Sequence, residues 1–423
     1  MTRTDPAKPK PSLRSFEIET PRTQTPFCVS RAATQAMFLV VGLLLGTACS
    51  PDDDGPKNAT ANDASTNDAS TRDANSADTS TAHDAGAVQD GSVAEGTDGG
   101  DNRGDASLPP DAGSESDAGS DTRDKTLSEL HPGDLGMDED PSVVWFEDFE
   151  EGSLNAIEAR YDQVRNNGRI ALVSDTPNGT GTALSLRAGQ GENAVDLYKR
   201  LPNADEWYVR WYVQYEENVP WHHSGMWFGG YNPSSPWPSP GAATKPNGDD
   251  RFSIAVEPVY DGPSGLRFDF YNYWYAMHSW MAVPDPASGT AYYGNPIVHM
   301  NDFTVDEARW VCLEVHVRLN PDPASGLGAM LEVWKGDALV QSFDDAGPVG
   351  YWIRDKFCPE GANGSDCTDY PAASDTILDL RFRTTTDLTL NAFWPQNYIT
   401  DDAQGSMLLD QMIVATQRIG CMR

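Results

Sequence analysis

From residue 143 onward, apolar and polar positions alternate in short segments separated by Gly, Pro, Asn and Asp. A period of two sends successive side chains to opposite faces of an extended strand, so the alternation predicts half-buried β-strands. In WYVRWYVQYE (207–216), Trp207, Val209, Trp211, Val213 and Tyr215 share one face, and Tyr208, Arg210, Tyr212 and Gln214 the other. RFSIAVEP buries Phe252, Ile254 and Val256 and turns Ser253, Ala255 and Glu257 away. LRFDFYNY sets Leu266, Phe268 and Phe270 against Arg267, Asp269, Tyr271 and Tyr273, and WVCLEVHVRLN sets Val311, Leu313, Val315 and Val317 against Cys312, Glu314, His316 and Arg318. AMLEVWKGDALVQSF reads as a hairpin and SMLLDQMIVAT as the closing strand. With no helical period of comparable length, the predicted fold class is all-β, a two-sheet jelly-roll β-sandwich over residues 141–423.

Residues 50–140 show no such pattern. They are almost entirely Asp, Ala, Ser, Thr, Gly and Asn, with hardly an aliphatic side chain. Such a segment cannot bury enough apolar surface to offset its chain entropy and is expected to be a disordered linker. As a coil, about 90 residues span on the order of 50 Å. Residues 1–49 end in the apolar run AMFLVVGLLLGTACS, too short to cross a bilayer and of the length of an export signal. Gly46, Thr47 and Ala48 before Cys49 resemble the bacterial lipobox, which implies lipidation at Cys49. The chain is therefore expected to be exported and lipid-anchored at the cell envelope, on the surface of the outer membrane, meeting the membrane only through that lipid.

The formal net charge is −34, from 64 Asp and Glu against 30 Lys and Arg. So acidic a chain repels nucleic acid over long range, and no basic patch or zinc-finger spacing offsets this, so nucleic acid is set aside as a partner; a monomer is expected. Six cysteines are present. Cys28 and Cys49 lie in the leader. The other four favour disulfides in an exported protein, Cys358 with Cys367 around a hydrophilic loop and Cys312 with Cys421, a metal site being the alternative.

The polar strand faces carry Tyr, Arg, Asp, His and Gln, which suits a sugar-binding cleft: rings stack on pyranose faces while planar polar groups take hydroxyls. Packing beneath long loops is the plainer reading. The order HHSGMWFGG, DRFSIAVEP, GLRFDFYNYWYAM resembles polysaccharide lyase family 14 and its relatives. That family has a Lys-Leu-Pro-Gly-x-x-Gly-Gly segment, a Ser-x-Arg strand and a Tyr-x-Tyr strand. The resemblance implies a concanavalin A-like jelly roll that cleaves uronic-acid polysaccharides by β-elimination. His222 falls on the family lysine, Gly225, Gly229 and Gly230 on its glycines, Ser253 on its serine, and Tyr271 and Tyr273 on its tyrosine pair; Ala255 stands where the arginine belongs.

β-Elimination needs a cation or donor at the carboxylate, a base for the C5 proton and an acid for the leaving oxygen. His222, Tyr271, Tyr273, Arg251 and Ser253 are the candidate catalytic set, with His222 preferred to His223 and Arg251 supplying the missing charge. His223, Arg267, Asp269, Trp227, Trp237 and Asn391 are the candidate substrate-binding set. His278 and His299, in the loop after the tyrosine strand, are read as bystanders that overhang the cleft. No metal is required, although jelly rolls of this type can bind structural calcium through first- and last-strand acids, here Asp148 and Asp410. Two alternatives stand beside the lyase: a non-catalytic carbohydrate-binding or adhesion module, and a retaining glycosidase. The latter would need a Glu-x-Asp-x-x-Glu strand, which the sequence lacks.

Overall fold

The alternating segments do form strands. The computed structural model describes residues 125–423 apart from 190, 192, 240, 261–264, 282–290, 368–375 and 400–402. The leader, Cys28, Cys49 and the linker up to residue 124 lie outside the described residues. In chain order the strands are β1 (Val143–Glu147), β2 (Gln163–Arg165), β3 (Ile170–Val173), β4 (Ala183–Ala188), β5 (Val195–Ala204), β6 (Glu206–Tyr215), β7 (Ser224–Tyr231), β8 (Arg251–Tyr260) and β9 (Leu266–Phe270). There follow β10 (Val311–Arg318), β11 (Met330–Lys335), β12 (Ala338–Phe343), β13 (Val349–Ile353), β14 (Lys356–Pro359), β15 (Thr376–Ile377), β16 (Leu390–Asn397) and β17 (Gly405–Ala415).

Two antiparallel sheets make the jelly roll. Sheet A runs β12-β11-β10-β6-β17-β4-β3, with β1 also on β17; sheet B runs β2-β5-β16-β7-β8-β9; β14-β13-β15 form a small third sheet. Strands distant in sequence are neighbours, as β16 between β5 and β7 shows, so local pattern alone does not order them. The inter-sheet core comes from the predicted apolar faces. Trp207, Val209, Trp211 and Val213 of β6 are fully buried, as are Phe252 and Ile254 of β8 and Phe268 of β9. The Tyr215 and Phe268 rings meet across the sheets at 5.9 Å. Each large apolar side chain so buried contributes roughly 1.5–3 kcal/mol.

The opposite face of sheet A corrects two expectations. The polar alternates of β6 and β10 do not join a cleft; Arg210, Tyr212 and Glu314 hold residues 128–134 and the C-terminal segment. Arg210, fully buried, donates to Asp134 at 2.6 Å and to the Gly420 carbonyl at 3.3 Å. Glu314 accepts from the amides of Ile419 and Gly420 at 2.7 and 2.9 Å, and the Tyr212 hydroxyl from that of Met422 at 2.7 Å. His316 stacks on Tyr208 at 4.0 Å with its ring nitrogens 2.7 Å from Glu206 and 2.8 Å from Glu332. The folded unit therefore starts before residue 141. A helical turn at Leu127–Leu130, closed by a capping box between Thr126 and Glu129, buries Leu127 beside Met137 and Ile413. Both expected disulfides are present, Cys312–Cys421 and Cys358–Cys367.

Candidate functional site

Sheet B has a second face, turned away from the inter-sheet core. Cross-strand register places its residues in rows. Trp394 stands opposite Trp227, Trp227 opposite Ala255, and the Tyr271 amide bonds the Ala255 carbonyl. In the next row Asp196 faces Gln396, Gln396 faces Gly225, and Glu257 faces Asp269. Glycine at 225 is required by close approach: a Cβ there would run into the Val256 carbonyl of the neighbouring strand. Trp227 is buried and stacks on Trp394 at 5.8 Å, forming a floor rather than an exposed platform.

At one end of this floor the two histidines meet the tyrosines. The rings of His222 and His223 lie 3.7 Å apart, and that of His223 lies 4.8 Å from Tyr271 and 6.2 Å from Tyr398. Nδ1 of His223 is 3.3 Å from Oε1 of Glu257, a carboxylate 1% exposed in its side chain, whereas His223 keeps 18%. Neither Glu257 oxygen accepts an aligned hydrogen bond among the described residues. The structure thus brings His223, more than the favoured His222, against the tyrosine pair. His223 reaches this position with φ of 55°, a left-handed conformation that breaks the strand alternation just before β7. His222 borders an adjoining cavity of about 660 Å³ with Trp221, Tyr260 and Leu266.

The Tyr273 hydroxyl donates to that of Tyr271 at 3.5 Å, and Gly294 packs against the Tyr271 ring. Gly294 can hold no side chain here, because a Cβ would enter the Tyr271 ring. Burial pushes Tyr273 up to about 12. It pushes Tyr271 far above the ordinary phenol range, with Tyr273 and Glu257 adding to the effect. Both tyrosines stay protonated, suited to donating a proton and unsuited to removing one.

Four other candidates have structural partners that sequence did not reveal. Arg251 is 2.6 Å from Asp250 and donates to the Thr244 hydroxyl at 2.8 Å, in the 231–250 loop. Arg267 is buried against Asp269 and bonds Nδ1 of His299 at 3.0 Å. Asp269 accepts from the amides of Ile297, Val298 and His299, each at 2.9 Å, and these contacts with Arg267 hold its carboxyl down to about 2 against the cost of burial. The buried pair anchors the 295–305 loop. Asn391 is likewise spent, bonding the amide and carbonyl of Tyr231 at 3.1 and 2.9 Å. Ser253 lies beside Tyr273, their backbones paired, but is only 2% exposed. Trp237 is 54% exposed at its loop tip, as a sugar platform would be.

Glu257, Trp394, Gln396 and Tyr398 were not singled out from sequence. Alternation already put Glu257 on the face of Ser253 and Ala255, and that signal was available. The pairing of β16 with β7 brings Trp394 and Gln396, and Tyr398 follows just beyond the end of β16.

Among the described residues two groups have metal-like spacing. Glu147, Asp148 and Glu151 hold ligand atoms within 4.8 Å of one another, but Arg160 already pairs with Glu147 and Glu151. Asp410, the expected partner of Asp148, is pushed up to about 8 by burial, with Glu150 and Asp148 adding to it. Arg160, paired with two of the three carboxylates, already neutralises the cluster and does not fit a calcium site. The second group is His299 with Cys358 and Cys367, whose sulfurs are joined to each other.

No protein-family profile matches the chain, and no curated protein does. Solved structures similar to it include an alginate lyase bound to an alginate tetrasaccharide, at 9% identity and TM-score 0.43, covering 66% of this chain and 99% of that one. A marine alginate lyase of polysaccharide lyase family 14 from Aplysia kurodai matches at 13% identity and TM-score 0.40, covering 65% and 99%. An endo-β-1,4-glucuronan lyase from the fungus Trichoderma reesei matches at 14% identity and TM-score 0.37, covering 65% and 96%.

Proposed function

We propose that the second face of sheet B binds a uronic-acid-containing polysaccharide and cleaves it by β-elimination, with His223 as base and Tyr271 as acid. The observation that carries this reading is the imidazole of His223, set between the buried carboxylate of Glu257 at 3.3 Å and the ring of Tyr271 at 4.8 Å. A carboxylate beside an imidazole orients the ring and favours the cation it becomes on taking a proton. A phenol kept protonated by burial can then deliver a proton to the departing glycosidic oxygen. His222, beside His223, is positioned as a donor to the sugar carboxylate. Upstream, the reading includes a lipid at Cys49 and a flexible tether that displays the domain at the outer surface.

A second reading is a glycan-binding module without catalysis. It is favoured by Ala255 at the middle of the site, where no cation neutralises a uronate, and by Arg251 and Arg267 being held by other partners. One assay separates the two. The purified protein is incubated with a panel of polyuronates, and the ultraviolet absorbance of unsaturated uronates is followed alongside binding. Lyase chemistry predicts product formation that falls roughly 100-fold or more in Tyr271→Phe and His223→Ala while binding survives. Binding without product in the wild-type protein selects the module reading, and absence of both defeats the glycan assignment.

A further inference from the structure

After residue 140 the chain has four lysines, Lys199, Lys245, Lys335 and Lys356. Three of them are held by oxygen. Lys199 donates to the Arg160 carbonyl at 2.6 Å, Lys335 lies 2.8 Å from Asp306, and Lys356 lies 2.6 Å from Asp366. Lys245 has no oxygen partner among the described residues. Its ammonium stands over the rings of Tyr275 and Tyr292, at 5.7 and 5.9 Å. Arg381 lies over Tyr275 too, at 4.8 Å, and its counter-ion Asp379 is 3.3 Å away. Burial, then the nearby Arg381 guanidinium, holds Lys245 below the usual lysine range. The His278 ring has one face stacked on Trp352 at 3.8 Å; this partial burial, then the Lys245 ammonium, disfavours its protonation.

Clustering cations costs free energy, and here Lys245 and Arg381 share one nearby carboxylate, Asp379, although in a chain of net charge −34 a second would be easy to supply. Aromatic faces with a cation between them instead match an acidic sugar, which offers a flat apolar ring face and an anion at its edge. The location agrees. Lys245 lies two residues after Ala243, whose carbonyl accepts from the Tyr292 amide at 3.2 Å, and Tyr275 lies two residues after Tyr273. The patch is thus joined through the chain to the segment that carries the tyrosine pair.

We infer that Lys245, with Arg381 and His278 beside it, is a subsite for the anionic group of the glycan, either a carboxylate or a sulfate ester. The inference rests on the glycan reading above and adds the residues that hold the anionic group. The test is calorimetric titration of the full-length protein with three oligosaccharides of equal length: a uronate, a sulfated neutral glycan and an uncharged one, each at two salt concentrations. Lys245→Ala is expected to weaken the anionic ligand roughly tenfold and to flatten its salt dependence, with the uncharged ligand unaffected and Lys245→Arg close to wild type. Lys245 sits on an exposed loop, so its variants are expected to melt with the wild-type protein. Whichever anionic ligand shows the loss identifies the acidic group. The inference is overturned if Lys245→Ala binds both anionic glycans as the wild type does, or weakens the uncharged one equally. Failure of the wild-type protein to bind any of the three overturns the glycan reading itself, which retained uncharged binding would leave standing.

Discussion

Asp410 and Asp269 are both buried carboxyls in this sandwich, and their surroundings drive them in opposite directions. Asp269 has Arg267 and several backbone amides and stays ionised. Asp410 has one amide, that of Gln411 at 2.7 Å, and the acids Glu150 and Asp148 nearby, and it holds its proton up to about 8. Folding therefore tightens proton binding at Asp410, since the unfolded chain releases that proton near 4. Its contribution to stability is full below about 4 and is lost as pH rises through 8. Asp410→Asn keeps the oxygen that accepts from Gln411 and removes the ionisation. Thermal melting should show the variant more stable than wild type at pH 8 and little different at pH 4. Equal melting shifts at both pH values would show that the carboxyl does not titrate between them.

At the scale of elements, the two disulfides close loops of very different length. Cys312 and Cys421 are 109 residues apart and tie the C-terminal tail to β10, whereas Cys358 and Cys367 are 9 apart and close a single turn after β14. Chain-entropy loss in the unfolded state grows with the logarithm of loop length, so the long bridge should contribute about 2 kcal/mol more than the short one. Denaturant unfolding of the Cys312→Ser/Cys421→Ser and Cys358→Ser/Cys367→Ser pairs measures the difference. A larger loss from the short bridge would place the effect in native packing around Tyr351 instead.

For the molecule as a whole, both ends of the described chain close over sheet A, around the buried guanidinium of Arg210. Asp134, its ion partner, lies in the stretch that composition assigns to the linker. A chain beginning at residue 141 leaves that guanidinium without its carboxylate, which for a buried pair costs about 3–5 kcal/mol. Beginning at residue 125 should cost almost nothing. Comparing the unfolding free energies of the two truncations tests whether the terminal clamp belongs to the fold; similar stabilities would show that it does not.

The alternation of apolar residues by itself determined the all-β class and the buried faces of β6, β8, β9 and β10, because a period of two is a property of the chain; that the four cysteines pair was expected, and the structure supplied their connectivity. Alternation also placed Glu257, Tyr271 and Tyr273 on one face, since antiparallel neighbours keep parity. Only the tertiary structure decided which polar side chains other segments take up. Arg267, Asp269 and Asn391 read in sequence like binding residues, yet loops that return from 295–305 and from β7 take up their hydrogen-bonding capacity. Arg210 and Glu314 are likewise consumed by the termini. Strand parity says which side chains share a surface; what covers that surface depends on contacts between segments up to hundreds of residues apart, which no local pattern records.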